Sequence, residues 1–133
     1  DHPRHLHVRG EHGAMMALDG ITVHADKSFT LPPQRCFWSF EELDWPEQQT
    51  DWADVVFICT KAYDVSASLD VAELTVRKGG IVVALANGLG HLETLVSRFG
   101  HDQSAVATTT HGAYREPSGV VQWVGKGGVC ESV

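Results

Sequence analysis

The most regular part of the chain is Asp54-Val55-Val56-Phe57-Ile58-Cys59-Thr60, a nearly unbroken run of β-forming apolar residues. Such a run without alternation predicts a parallel strand covered on both faces. Val65, Leu69, Val71, Ala72 and Val76 then fall near helical spacing, which predicts a helix over 65–76. Lys78-Gly79-Gly80 is expected to stop that helix. A second buried strand is expected over 81–86, ending at Asn87-Gly88. Leu92, Leu95, Val96 and Phe99 form one stripe of a helix over 89–99, closed by Gly100, and 104–108 predicts a third strand. Strand, helix, strand, helix, strand with short links predicts an α/β fold with a parallel sheet and crossover helices.

The flanking segments are less regular. Residues 6–8 suggest a short strand ended by Arg9-Gly10, and 11–18 a short helix or turn stopped by Asp19-Gly20. Residues 21–25 and 28–31 alternate around Asp26-Lys27 and predict a small hairpin closed by Pro32-Pro33. Ser39 is placed to cap a short helix over 40–43, before Trp45-Pro46 breaks it. After the turn Pro117-Ser118-Gly119, residues 120–124 predict a lone strand, and Gly125-Lys126-Gly127-Gly128 another turn. Phe57 and Trp123 are expected in the core.

In open α/β sheets, ligands bind beyond the carboxyl ends of the strands. The expected strand ends carry Arg9, Thr60-Lys61, Asn87-Gly88 and Thr109-Thr110-His111, so the topology nominates a site there.

Composition narrows the class. The 133 residues, 43% hydrophobic and 20% charged, suit one ordinary globular domain. A net charge of -7, from 10 basic and 17 acidic residues, argues against a broad nucleic-acid surface while leaving room for a single anion pocket. No apolar run is long enough to span a membrane. Cys36, Cys59 and Cys130 form no CxxC pair or zinc-like set, which fits a reducing cytoplasm. The chain has 8 histidines, with His5 and His7 on one face of the first strand and His2 and His12 nearby. No carboxylate or cysteine completes a metal set with them, so no metal is expected.

Three blocks in the middle of the chain carry a family resemblance: Cys59-Thr60-Lys61-Ala62-Tyr63-Asp64, Asn87-Gly88-Leu89-Gly90 and Thr108-Thr109-Thr110-His111-Gly112-Ala113. The order and spacing of these blocks over 54–128, continued by 120–127, resemble ketopantoate reductase, also called 2-dehydropantoate 2-reductase. Val8-Arg9-Gly10 and Gly20-Ile21-Thr22-Val23 extend the likeness more thinly. The resemblance implies a Rossmann-like domain that binds NADP and an enzyme that reduces ketopantoate to pantoate on the route to pantothenate. It implies that Lys61 and Asn87 are the active-site lysine and asparagine near the nicotinamide ribose. It implies that Arg9 pairs with the 2′-phosphate; Thr109 and Thr110 are expected at the cofactor from their place at a strand end.

The chemistry of these residue types agrees. A planar guanidinium forms paired hydrogen bonds with phosphate. An acidic residue there would instead suit the ribose diol of NAD, and Glu11 lies two residues on. Lys61 is a compact cation, and Asn87 offers both a donor and an acceptor in a turn that Gly88 permits. Each also has a plainer reading. Arg9 and Lys61 would be solvated cations, Asn-Gly a simple turn, and the threonine hydroxyls partners for backbone groups.

The family begins with a strand, a GxGxxG loop and a helix, and ends in a helical substrate domain; neither is in these 133 residues. A partial domain is therefore expected, with the second and fourth strands of the fold lacking their shared neighbour and showing unpaired edges. Alone, it is expected to bind NADPH poorly and to turn over nothing. Two other readings stand beside this one. The chain belongs to a related dehydrogenase acting on another keto or hydroxy acid, or it is a non-catalytic nucleotide-binding or interaction module. Pairing of an exposed strand edge with another chain, including a second copy as a homodimer, is compatible with the latter.

Overall fold

The apolar run of the middle segment forms β5 (Ala53–Ile58), and its neighbours build the larger of two compact units in this computed structural model. Residues 4–37, 53–87 and 89–132 are described; the helix expected over 40–43 lies outside them. The first unit spans residues 1–47 and 111–126, the second 48–110 and 127–133.

In the second unit β5 is followed by α2 (Val65–Thr75), β6 (Val76–Leu85), α3 (His91–Phe99) and β7 (Ser104–Thr109). A final strand, β10 (Val129–Ser132), returns from the end of the chain. The sheet order is β10-β7-β6-β5, with β5, β6 and β7 mutually parallel and β10 antiparallel to β7. Both helices lie on one face. Val65, Leu69 and Ala72 of α2 and Leu95 of α3 pack with Ile58, Val82 and Ala84 of the strands. Leu95 and Val82 are wholly buried. The buried hydroxyl of Thr75 donates back to Val71 O (2.8 Å) and Ala72 O (3.1 Å), so the end of α2 enters the core without an unpaired group.

The expectation that β5 is covered on both faces is not met. Val56 and Ile58 face the helices, but Val55 and Phe57, on the opposite face, are 45% and 60% exposed. Phe57 is therefore not a core residue. An apolar run reports that a strand tolerates burial, not how many layers cover it. Here β5 is the edge strand, and neither helix of this unit lies on that face.

A second correction concerns Lys78-Gly79-Gly80. These residues do not separate α2 from β6; the strand begins at Val76, directly after the helix, and runs through them. Ala53 pairs with Val76 but Val55 with Ile81, so a bulge takes up the extra residues of β6. Gly79 sits there at φ 77°, and a Cβ on Gly80 would meet Ala53 O at 3.0 Å. The glycines that read as a stop thus serve a sharp irregularity within the strand.

The first unit opens with β1 (Leu6–His7) and α1 (Gly10–Asp19), then the hairpin β2 (Ile21–His24) and β3 (Phe29–Leu31). A single helical turn, Pro33–Arg35, leads to β4 (Cys36–Phe37), which pairs in parallel with β1. Val8, Cys36 and Phe37 are buried, and Val8 N–H donates to Phe37 O at 3.0 Å. The strand expected over 120–124 is present as β9 (Val121–Gly125), but it is not alone. It joins β2 in parallel and β8 (Gly112–Arg115) antiparallel, giving a sheet of order β3-β2-β9-β8. The strands β4, β8 and β10 escape a pattern reading because they are short and mix small or polar residues with apolar ones. Trp123 is half-buried, its indole N–H donating to Gly125 O at 3.1 Å.

The β5-α2-β6-α3-β7 series with its parallel sheet gives the α/β, Rossmann-like architecture expected. Among the described residues no helix is long and apolar enough to cross a membrane, and no group of three His, Cys, Asp or Glu is placed to hold a metal.

Candidate functional site

Parallel pairing in register places the carboxyl ends of β5, β6 and β7 side by side. Ile58 pairs with Ala84, and Leu85 with Ala107, so all three strands finish at the same edge of the sheet. Beyond that edge lie Thr60 and Lys61 after β5, Asn87 after β6, and Thr110 after β7. Thr109 is the last residue of β7. Four of the five residues singled out from the sequence are thus gathered by one sheet. The fifth, Arg9, belongs to the first unit, where it stands exposed and extended (φ -150°, ψ 166°) at the start of α1. Its carbonyl accepts Gly13 N–H at 3.1 Å.

Lys61 owes its position to a tight turn. Its backbone is extended, and its carbonyl accepts Asp64 N–H at 2.8 Å, closing the single helical turn Ala62–Asp64 that starts α2. The ammonium is exposed, with no ion pair or hydrogen bond among the described residues. Asn87 occupies a bend between β6 and α3, equally exposed and with no hydrogen bond to its side-chain amide among the described residues. A lysine and an asparagine left uncommitted at the mouth of a parallel sheet are available to a ligand.

Thr110 is different. Its hydroxyl accepts Gly128 N–H at 2.9 Å, while its own N–H donates to Gly128 O at 3.0 Å. This pair of bonds clamps the tip of β7 to the start of β10. Gly127 must be glycine there, because a Cβ would lie 2.3 Å from Thr110 Oγ1 and 2.4 Å from Thr110 C. Thr109 is half-buried and pairs with Val129.

Two further atoms belong to the same edge, one on Thr60, which the strand-end reading included, and one on His91, which it did not. The hydroxyl of Thr60 and Nε2 of His91, the first residue of α3, are buried without hydrogen-bond partners among the described residues. An unpaired buried polar group costs about 1–3 kcal/mol, so such groups mark places where something else supplies the partner. His91 follows Gly90, which starts α3 at φ 88° without a side-chain cap. The signal for His91 was its place next to the Asn-Gly-Leu-Gly block; nothing in the sequence told that its Nε2 would be buried. The protein packed around Cys59 pushes its thiol above its ordinary value, even though part of the side chain reaches solvent.

Two small cavities lie among the described residues. One of about 140 Å³ is lined by Thr108, Thr110, Gly128, Val129 and Cys130. Another of about 90 Å³ in the first unit lies beside His12, Met15 and Gly119, where His12 Nε2 meets Gly119 O at 3.3 Å. Both fall below the roughly 300–1,000 Å³ of a typical ligand pocket. Strand topology, not cavity size, singles out the site. His111, from the first unit, sets its ring edge against Trp123 at 5.2 Å.

The sequence pattern of the ketopantoate reductase PanE/ApbA family matches residues 1–130. The 2-dehydropantoate 2-reductase of Halobacterium salinarum is 40% identical over 77 residues, covering 56% of this chain and 24% of that enzyme. A 2-dehydropantoate 2-reductase from Geobacter metallireducens GS-15 shares the fold, with TM-score 0.76 at 23% identity over 94% of this chain and 40% of its own. So does a D-mandelate dehydrogenase solved with NADH and anilino(oxo)acetate, with TM-score 0.71 at 21% identity over 93% of this chain and 38% of its own. The chain thus spans about a quarter of its curated relative's length. A pattern match over nearly every residue, together with the shared parallel-sheet fold, establishes that the chain belongs to the ketopantoate reductase PanE/ApbA family of oxidoreductases.

Proposed function

We propose that this chain is part of an NADP-dependent reductase of a 2-keto acid, with ketopantoate, reduced to pantoate, as the substrate. The observation that carries the reading is the common edge of β5, β6 and β7, where Lys61, Asn87, the buried Thr60 hydroxyl and the buried His91 Nε2 have no side-chain partner among the described residues. These groups fit a nucleotide, since ribose hydroxyls and an amide-bearing ring supply the donors and acceptors they lack. The nicotinamide, when bound, supplies the hydride.

The residues of this chain bind and orient. Lys61 brings a positive charge to the ribose or to the electronegative edge of the keto acid. Asn87 donates and accepts at the same mouth, and Thr109 and Thr110 border it. Arg9 pairs with the 2′-phosphate through its planar guanidinium, which selects NADP over NAD.

A second reading has a specific observation behind it: a structural relative is a D-mandelate dehydrogenase solved with NADH. The same edge would then serve another 2-keto or 2-hydroxy acid, with the other nicotinamide cofactor.

Both readings are tested on the full-length protein encoded by the reading frame that contains this chain. Ketopantoate-dependent oxidation of NADPH is expected, and Lys61→Ala or Asn87→Ala should each lower kcat/KM by about 10²–10³, the usual cost of an oriented polar group at a reacting centre. Arg9→Ala should weaken NADPH far more than NADH. Preference for an aryl keto acid with NADH would favour the second reading, and wild-type rates in both the Lys61 and Asn87 variants would remove the site.

A further inference from the structure

We infer that Tyr63 and Leu89 are the apolar contacts of the nucleotide, an inference that rests on the cofactor reading of the sheet edge. Tyr63 is 82% exposed and Leu89 99%, the two highest values among the large apolar side chains of the described residues. Exposed apolar residues scattered singly are ordinary on a protein surface. These two are set apart by their place. Ile58 of β5 pairs with Ala84 of β6. Lys61 and Asn87 each stand three residues beyond that pair, and Tyr63 and Leu89 each five beyond it. Two neighbouring parallel strands thus lead into segments of matching order, with an uncommitted polar side chain first and a bare apolar one two residues later.

Neither side chain belongs to the core. Tyr63 is the middle residue of the single helical turn Ala62–Asp64, which Lys61 O closes by accepting Asp64 N–H at 2.8 Å. That turn sets Tyr63 beside Lys61, ahead of the α2 residues Val65, Leu69 and Ala72 that pack on the sheet. No hydrogen bond or ring contact engages Tyr63 among the described residues. Leu89 precedes Gly90, whose left-handed backbone (φ 88°) starts α3. It therefore stands ahead of the helix whose Leu95 and Phe99 join the core.

The polar groups of the edge answer only part of what a dinucleotide presents. Ligand sites combine a few placed polar groups with apolar and aromatic surface. Lys61 and Asn87 suit ribose, phosphate and carbonyl oxygens, while the flat rings of the nucleotide call for surface of another kind. A tyrosine ring offers a face on which an aromatic ring stacks. A leucine side chain offers aliphatic carbon to a ring face. Contact with the rings removes apolar surface of both partners from water, and that is the driving force for it.

The test is the affinity of the full-length protein for NADPH, measured by titration calorimetry, with melting temperatures taken in the absence of nucleotide. Tyr63→Ala and Leu89→Ala should each raise the Kd for NADPH about tenfold, equivalent to about 1.4 kcal/mol. Tyr63→Phe and Leu89→Met keep the ring and the aliphatic bulk and should stay within about twofold of the parent. All four variants should melt with the parent when no nucleotide is present. The inference is overturned if either alanine variant binds NADPH like the parent while Lys61→Ala binds it more weakly; the cofactor site then stands without these contacts. It is equally overturned if either alanine variant melts well below the parent without nucleotide, because the protein itself then covers that side chain. A loss in Tyr63→Phe equal to that in Tyr63→Ala would assign the contact to the hydroxyl and overturn the stacking. Unchanged NADPH affinity in the alanine variants of Lys61, Asn87, Tyr63 and Leu89 alike would remove the cofactor reading and this inference with it.

Discussion

Gly127 and Gly128 look interchangeable in the sequence, and the structure separates them sharply. A methyl group on Gly127 would stand 2.3 Å from Thr110 Oγ1, 2.4 Å from Thr110 C and 2.5 Å from Thr110 O; one on Gly128 would meet nothing within 4 Å. Because two of the three atoms at Gly127 are backbone, rotating the threonine does not relieve the clash. Gly127→Ala must therefore push β10 away from the tip of β7 and break both bonds of the Thr110–Gly128 clamp. Two hydrogen bonds at about 1 kcal/mol each, with about 1 kcal/mol or more of overpacking, amount to roughly 3 kcal/mol. Gly128→Ala keeps both backbone bonds and should cost no more than about 0.5 kcal/mol. At roughly 3–5 °C per kcal/mol for a chain of this size, Gly127→Ala should melt about 10 °C lower, and Gly128→Ala within a degree or two of the parent. Circular dichroism during thermal unfolding reads both. If the two variants melt alike, the clamp at the end of β7 is not the structural element described.

Two further expectations concern the core and the response to acid. Leu95→Ala, in the wholly buried centre between α2, α3 and the sheet, should destabilise by about 3 kcal/mol, whereas Leu89→Ala, at 99% exposure, should change little; equal urea midpoints for the pair would contradict the packing of α3. His5 is half-buried, and its burial, with a smaller contribution from the Arg35 charge, holds its imidazole below the ordinary 6.5. The unfolded chain therefore takes up that proton more readily, so the stabilising contribution is complete above 6.5 and is lost as pH falls towards the lower folded value. Urea midpoints across that window should fall more steeply for the parent than for His5→Gln, and parallel curves would refute the assignment.

Much of the second unit was legible in the sequence because its elements carry local signals. Val65, Leu69 and Ala72 recur at helical spacing; Leu92, Leu95 and Phe99 do likewise; and the strands between them are apolar runs bounded by turn residues. Periodicity and punctuation act over a few residues, so a reading of the chain recovers α2, α3, β5 and β7 to within a few positions. The same locality explains the errors. Whether Lys78-Gly79-Gly80 ends a helix or bulges within a strand depends on Ala53 and Val55 across the sheet. Whether Phe57 is core depends on which layer lies over it. The strands β4, β8 and β10 exist because β1, β9 and β7 offer them an edge, and nothing in their own few residues demands it.

For the candidate site the division is similar. The identities of Lys61, Asn87, Thr109 and Thr110 and their places after strands come from the chain itself, since the residue following a β-run falls at a strand tip wherever the strand ends up. That three of those tips share one edge follows from parallel pairing with matched register, a long-range choice. Only the folded molecule shows that Thr110 is committed to Gly128 while Lys61 and Asn87 have no such bond among the described residues, and that Thr60 and His91 bury polar atoms with no partner among the same residues. Hydrogen-bond satisfaction is a property of neighbours in space, so it is decided by tertiary structure and cannot be read one residue at a time.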